Sequence, residues 1–203
     1  MNELVVFASG SGSNFQSIIN HIKKGSLDAK IVGLVTNKLD IGAIDLARQH
    51  RIPFRVIFSK QFESYEAYES ALLDQCLEWN PRLIICAGYL QKIPPKLIQA
   101  FPNRILNIHP SLLPKFGGQG YYGIHVHKSV LEKKETHTGC TIHIVSEEYD
   151  QGPILAQEHL VVRQTESAEQ LAKRVLTMEH QLYPKAIGEY LKRQNGPMEM
   201  DNN

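Results

Sequence analysis

The sequence predicts an α/β fold, an open and doubly wound sheet that is mostly parallel, with an antiparallel portion in the C-terminal half. Three observations predict it. Short apolar runs alternate with segments whose apolar residues recur at helical spacing. The runs at residues 4–8 and 83–88 are almost free of polar side chains, as strands buried on both faces are. A Gly/Ser loop follows the first run at once, which is the punctuation of a tight strand-to-helix turn.

Taken in order, residues 4–8 form the first strand. From Asn14 to Lys24 the residues Phe15, Ile18, Ile19 and Ile22 share one helical face, and Gly25 stops that helix. Residues 31–35 are a second strand. Ile44, Leu46 and Ala47 lie in a second helix, and residues 53–58 are a third strand. Residues 61–79 read as a longer helix and 83–88 as a fourth buried strand. Strands and helices in this alternation imply βαβ units with right-handed crossovers, whose ligands bind beyond the carboxyl ends of the strands. The second half differs. Residues 105–108 form a strand that runs into a polar cluster, and a Gly-rich loop spans residues 116–123. A short helix covers 128–133, and strands follow at 140–145 and 154–162. A terminal helix covers 167–192, where Pro184 is expected to bend or break it. A polar tail from residue 193 to 203 is expected to fray.

Composition narrows the function classes. The 203 residues suffice for one domain, and a net charge of +1 gives no global field for nucleic acid or a membrane surface. An anion site must therefore be local. Cys76, Cys86 and Cys140 are odd in number and widely spaced, which argues against a disulfide framework or a zinc site and fits a reducing compartment. The N-terminus lacks a basic segment followed by a long apolar run, and no stretch approaches the roughly 18 apolar residues of a membrane span. The cytoplasm is the expected location.

The first loop, Ser9-Gly10-Ser11-Gly12-Ser13-Asn14, opens onto a helix N-terminus, where free amides and the dipole favour a phosphate. It is a poor dinucleotide fingerprint. Phe15 stands where a third glycine would fall, and Thr36-Asn37-Lys38 supplies no acid for a ribose hydroxyl. It also lacks the Gly-Lys-Ser/Thr ending of a P-loop. A site for a lone phosphate fits best. The alternative is a tight turn with Ser13 or Asn14 as N-cap.

The segment Asn107-Ile108-His109-Pro110-Ser111-Leu112-Leu113-Pro114 carries the chemistry. Residues two apart on a strand face the same side, so Asn107 and His109 can point into one cleft. An amide and an imidazole together can hold a developing oxyanion, and a histidine can exchange a proton near neutral pH. The imidazole needs a carboxylate to orient it. Asp150, in the turn before Gly152-Pro153, is the candidate, with a plain turn former as the alternative. No Gly-x-Ser-x-Gly elbow presents a nucleophile, which points to direct transfer without a covalent enzyme intermediate.

These motifs together resemble the phosphoribosylglycinamide formyltransferases of purine synthesis. The likeness rests on the Ser9–Asn14 loop, the Leu106–Pro114 segment, Asp150-Gln151-Gly152-Pro153, and Glu179-His180 followed by Pro184. It runs from about residue 3 to residue 190. It implies a Rossmann-like formyltransferase fold in a single domain over residues 1–203. The phosphate-binding half would cover about 1–100 and the catalytic, folate-binding half about 101–192. It implies 10-formyltetrahydrofolate as co-substrate, glycinamide ribonucleotide as acceptor, and no metal. Asn107, His109 and Asp150 fall on the catalytic positions. Gly12, Ser13 and Asn14 fall on the phosphate loop, and Glu179 falls where the acceptor's ribose is held. Tyr65, Leu90, Gln91, Lys92, Ile93, Asn107 and Asp150 fall on the folate pocket. The partners implied are small molecules, without nucleic acid or membrane, in a monomer or homodimer.

The sequence departs from the family at Tyr65-Glu66, where many members have Arg-Glu, and at Gln91, where many have Arg. The loop at residues 117–123 is longer than the common form, and reads either as a lid near the acceptor or as a surface insertion. His125, His127 and His143 invite a metal reading with His109, but no carboxylate or cysteine cluster supports it. His127 is expected to support the site, and His143 to be a satisfied strand residue. Other formyl-folate enzymes, acting on sugar nucleotides, on methionyl-tRNA or on water, use similar residues. A non-catalytic folate or nucleotide binder is the reading from a different class, and an NAD-binding domain is the weakest.

Overall fold

A computed structural model describes residues 2–163 and 165–195. Its elements are β1 (Glu3–Ala8), α1 (Ser13–Lys23), β2 (Lys30–Thr36), α2 (Gly42–Gln49), β3 (Phe54–Val56), α3 (Tyr65–Trp79), β4 (Leu83–Cys86), α4 (Pro95–Ala100), β5 (Ile105–His109), α5 (Ile124–Glu132), β6 (His137–Ile144), β7 (Ile154–Val161) and α6 (Ala168–Asn195). The strands form one sheet in the order β3-β2-β1-β4-β5-β6-β7. The first five run parallel, and β6 and β7 close the sheet antiparallel. Chain order reverses between β1 and β4, which opens a crevice at the carboxyl ends of the central strands.

Alternation within β1 divides the core. Leu4, Val6 and Ala8 pack with Phe15 and Ile18 of α1 and with Leu171, Val175 and Tyr183 of α6. Val5 and Phe7 face the other way, against Tyr68, Leu72 and Cys76 of α3 and Leu97 of α4. Both faces of the strand are thus covered, as its continuous apolar run requires. All three cysteines are free and buried, packing as small hydrophobes.

Several element bounds differ from those the sequence suggests, each for a local reason. β3 is only three residues long, at the sheet edge. α3 starts at Tyr65, because Ser64 takes the N-cap and accepts the Ala67 amide at 3.1 Å. A separate 3₁₀ turn, Ser59–Gln61, precedes it. α4 was not anticipated; it is one short stretch opened by Pro95 at its first position. α5 begins earlier than expected, at Ile124. β6 begins at His137 rather than at residue 140, since it pairs along its length with β7. Pro184 neither breaks nor ends α6. The carbonyl that it leaves without a helical donor, that of His180, accepts a hydrogen bond from Ser17 Oγ of α1 at 2.6 Å. Residues 193–195 continue this helix, and the rest of the expected tail, 196–203, lies outside the described residues.

Candidate active site

A cavity of about 300 Å³ opens at the carboxyl ends of β4 and β5. One wall is the loop after β4, with Gly88, Leu90 and Lys92. The floor holds Asn107 and His109, and the residues 118–123 and 143–150 close the remaining sides. The segment after β5 is pinned in place. Thr141 Oγ1 donates to the Ser111 carbonyl at 2.6 Å and accepts the Leu113 amide at 3.0 Å. Gln157 Nε2 donates to the Leu113 carbonyl at 2.9 Å.

Four side chains meet at the floor. Asp150 brings Oδ2 to 3.4 Å from His109 Nδ1, and its Oδ1 accepts from Asn107 Nδ2 at 3.4 Å. Its Oδ2 also accepts the Gly118 amide at 2.9 Å. His143 stands directly opposite Asn107 in the β5–β6 register, with Nε2 3.0 Å from Asn107 Nδ2 and 3.5 Å from Asp150 Oδ1. The tautomers follow from their backbone partners. A carbonyl only accepts, so His143 Nδ1 carries the proton it gives to Ile144 O at 3.0 Å, and its Nε2 accepts from Asn107. By the same logic His109 Nε2 donates to the Phe116 carbonyl at 2.7 Å.

The electrostatics oppose one another within this cluster. Burial pushes the His109 imidazolium below its ordinary range, while the Asp150 carboxylate and the Phe116 carbonyl favour the charge. Burial works against ionised Asp150, but the neighbouring imidazoles of His143 and His109 and the Gly118 amide together hold its carboxyl below the usual value. Asp150 is therefore a carboxylate at neutral pH. His127 is buried on α5 and does not line the cavity; burial and nearby His109 push it down to about 4.

The glycine loop lies at the end of β1, outside the cavity lining. Gly12 is the N-cap of α1, at φ 78°, and neither Ser13 nor Asn14 caps the helix. A side chain at Gly12 would press on Ala43 and Leu46. No side chain caps the first amides of α1. Ser9 ties this loop to the cavity wall, donating to Asn37 Oδ1 at 2.6 Å and accepting the Leu90 amide at 2.9 Å. Asn14 donates from Nδ2 to Glu179 Oε2 at 2.7 Å, and both are buried. Burial raises the Glu179 carboxyl to about 7, offset only in part by that amide.

Of the expected folate-pocket residues, Leu90, Gln91, Lys92, Ile93, Asn107 and Asp150 line the cavity. Tyr65 does not line it; it stands exposed on the first turn of α3, with its ring 5.7 Å from that of Tyr68. Asn107 and His109 do share one face, and Asp150 reaches them from the turn after β6. That turn places Asp150 at φ 56°, in the left-handed region. The loop at residues 117–123 is no mere surface insertion, because it lines the cavity from Gly118 onward and bonds Asp150 through its backbone.

A family model described as "Formyl transferase" matches residues 2–187. The chain belongs to the formyl transferase family. Among the family's curated members it is 48% identical over 187 residues to "Phosphoribosylglycinamide formyltransferase, chloroplastic" of Arabidopsis thaliana, covering 92% of this chain and 64% of that protein. It thus spans somewhat less than two thirds of that plant relative. It is 34% identical to the phosphoribosylglycinamide formyltransferase of Escherichia coli, over 91% of this chain and 84% of that one. The crystal structure of the phosphoribosylglycinamide formyltransferase of Bacillus halodurans superposes with a TM-score of 0.88 at 35% identity, covering 95% and 97% of the two chains. The formyltransferase fold and its mixed sheet are therefore shown for this chain.

Sequence reasoning did not assign His143 to the site. Its signal was available only through the pairing of β5 with β6, which sets it beside Asn107. The Phe116 carbonyl and the Gly118 amide were missed as well, because backbone groups leave no mark on residue type.

Proposed function

We propose that this formyl transferase moves the formyl group of 10-formyltetrahydrofolate to the terminal amine of glycinamide ribonucleotide. The products are formylglycinamide ribonucleotide and tetrahydrofolate. The observation that carries this reading is the meeting of Asn107, His109 and Asp150 on the floor of one cavity, in a chain similar along 91% of its length to a protein of that name.

The amine attacks the formyl carbon, a C–N bond forms, and the formyl oxygen becomes an oxyanion. Asn107 Nδ2 and His109 Nε2 are its donors, and the oxygen takes over the hydrogen bonds that Nδ2 now gives to Asp150 and Nε2 to Phe116. Asp150 orients His109 and assists removal of the amine proton. The bond from the formyl carbon to N10 of the folate then breaks, N10 gains a proton, and tetrahydrofolate leaves as a neutral amine. His143 fixes the amide of Asn107 with its nitrogen toward the cluster. Gly12, Ser13 and Asn14 hold the acceptor's phosphate at the uncapped end of α1, and Glu179 holds its ribose. Leu90, Gln91, Lys92 and Ile93 line the donor's side of the cavity. Holding two substrates in line supplies roughly 7–11 kcal/mol of barrier lowering.

The test is a spectrophotometric assay of deformylation of a 10-formyl folate with glycinamide ribonucleotide, a sugar nucleotide amine, or no acceptor. Turnover that requires glycinamide ribonucleotide is the expected result. Turnover with the sugar nucleotide alone, or without any acceptor, would reassign the acceptor to that sugar or to water. Folate binding without turnover would make the chain a binder.

A further inference from the structure

The donor proposed above ends in a glutamate tail bearing carboxylates, so its pocket must meet negative charge at one end. Among the described residues, Lys92 is the one lysine or arginine that lines the cavity. It is exposed, and its Nζ lies over the Tyr149 ring, 5.5 Å from the centroid. The neighbouring Gln91 lines the same cavity but carries no charge. Its Oε1 accepts from Tyr68 at 3.1 Å and from Tyr89 at 3.4 Å, which commits that oxygen to two phenols. A cationic side chain at position 91 would take that acceptor away, and with the two hydroxyls 3.4 Å apart only one of them could donate to the other.

The surroundings of Lys92 suit an aromatic ligand with a charged end. Leu90, Tyr65 and Tyr149 are exposed to 49%, 55% and 41%. Tyr65 and Tyr149 are near enough that Tyr149, after burial and Glu69, adds to the rise in the Tyr65 phenol's pKa. Glu148 also lines the cavity and bars a carboxylate from its own side. The Tyr149 ring holds the ammonium at the mouth without neutralising it, since a ring quadrupole attracts a cation but carries no net charge.

We infer that Lys92, steadied over Tyr149, binds the tail carboxylates of the folate donor, so that cationic recognition of the tail rests on position 92 and not on Gln91. This rests on the formyl-folate reading.

The experiment compares KM for 10-formyltetrahydrofolate with KM for the same donor whose two tail carboxyls are methyl esters, in the parent, Lys92→Ala and Lys92→Arg. Lys92→Ala should raise KM for the charged donor about fivefold, the scale of an exposed ion pair. KM for the diester should stay as in the parent, and Lys92→Arg should restore most of the preference. Added salt should narrow the gap between the donors in the parent and not in Lys92→Ala. Equal KM for the charged donor in parent and Lys92→Ala would overturn the inference, and so would an equal loss with both donors. Absence of turnover with either donor in the parent would instead overturn the formyl-folate reading.

Discussion

Ser17 on the first helix donates its hydroxyl to the carbonyl of His180 on the last, at 2.6 Å and across 163 residues of chain. That carbonyl is the one Pro184 strips of its usual partner. The bond explains how α6 passes through a proline unbroken, and it fastens α6 to the helix that begins at the glycine loop. Ser17→Ala should destabilise the fold by about 0.5–1.5 kcal/mol, the worth of a hydrogen bond at a half-buried site. Restoring an amide with Pro184→Ala should shrink that cost. Urea unfolding of the two single variants and the double variant measures it; an equal cost of Ser17→Ala in both backgrounds would deny the coupling.

Glu179 links stability to pH. Its carboxyl is raised from an ordinary 4.5 to about 7 by burial. A raised carboxyl favours the fold in its protonated form, so this contribution is full below about pH 4.5 and is lost as pH rises through about 7. Glu179→Gln keeps the shape and an acceptor for Asn14 while removing the titration. The loss of unfolding free energy between about pH 5 and pH 8 should be smaller in this variant by roughly 1–3 kcal/mol. The same slope in parent and variant would place the titration elsewhere.

Asp150→Asn separates charge from shape. Asparagine tolerates the left-handed backbone at φ 56°, and its amide oxygen can still accept from Gly118. The fold should persist while turnover falls by about a hundredfold or more. The His109 imidazole should also titrate lower, having lost the carboxylate that favours its charge. Both are read by steady-state kinetics and by NMR titration of the imidazole. Normal turnover in a folded variant would leave Asp150 as a turn residue only.

Gly152 delivers Asp150. A Cβ there would run into the Ile144 carbonyl, whereas neighbouring Gln151 is exposed. Gly152→Ala should cost about 1–3 kcal/mol and reduce turnover, and Gln151→Ala should change neither noticeably. Thermal unfolding and the transfer assay give both numbers.

What the sequence made legible follows from the reach of its signals. The buried runs of β1 and β4 and the helical face of α1 are local patterns, and they form the expected elements, although β4 ends at Cys86 and not at residue 88. Asn107 and His109 were visible because a strand puts residues two apart on one face. α4 escaped because six residues opened by two prolines give no helical period. The start of β6 escaped because His137, Thr138 and Gly139 owe their strand conformation to β7, and Gly139 packs against the Glu158 carbonyl where no side chain fits. Pro184 misled because Ser17, which takes up the His180 carbonyl that the proline strips, lies at the far end of the chain. The same distance hides His143, and the position of Asp150 follows only from the turn after β6.

The most direct measurement is turnover of 10-formyltetrahydrofolate with glycinamide ribonucleotide by the parent beside His109→Ala and Asn107→Ala. Each variant removes one donor to the developing oxyanion, a loss on the order of 2.7–4 kcal/mol in the barrier. Efficient transfer by the parent, with a fall of about a hundredfold or more in each variant, is the predicted result. Near-normal transfer by both variants would contradict the assignment of the reaction to this cluster.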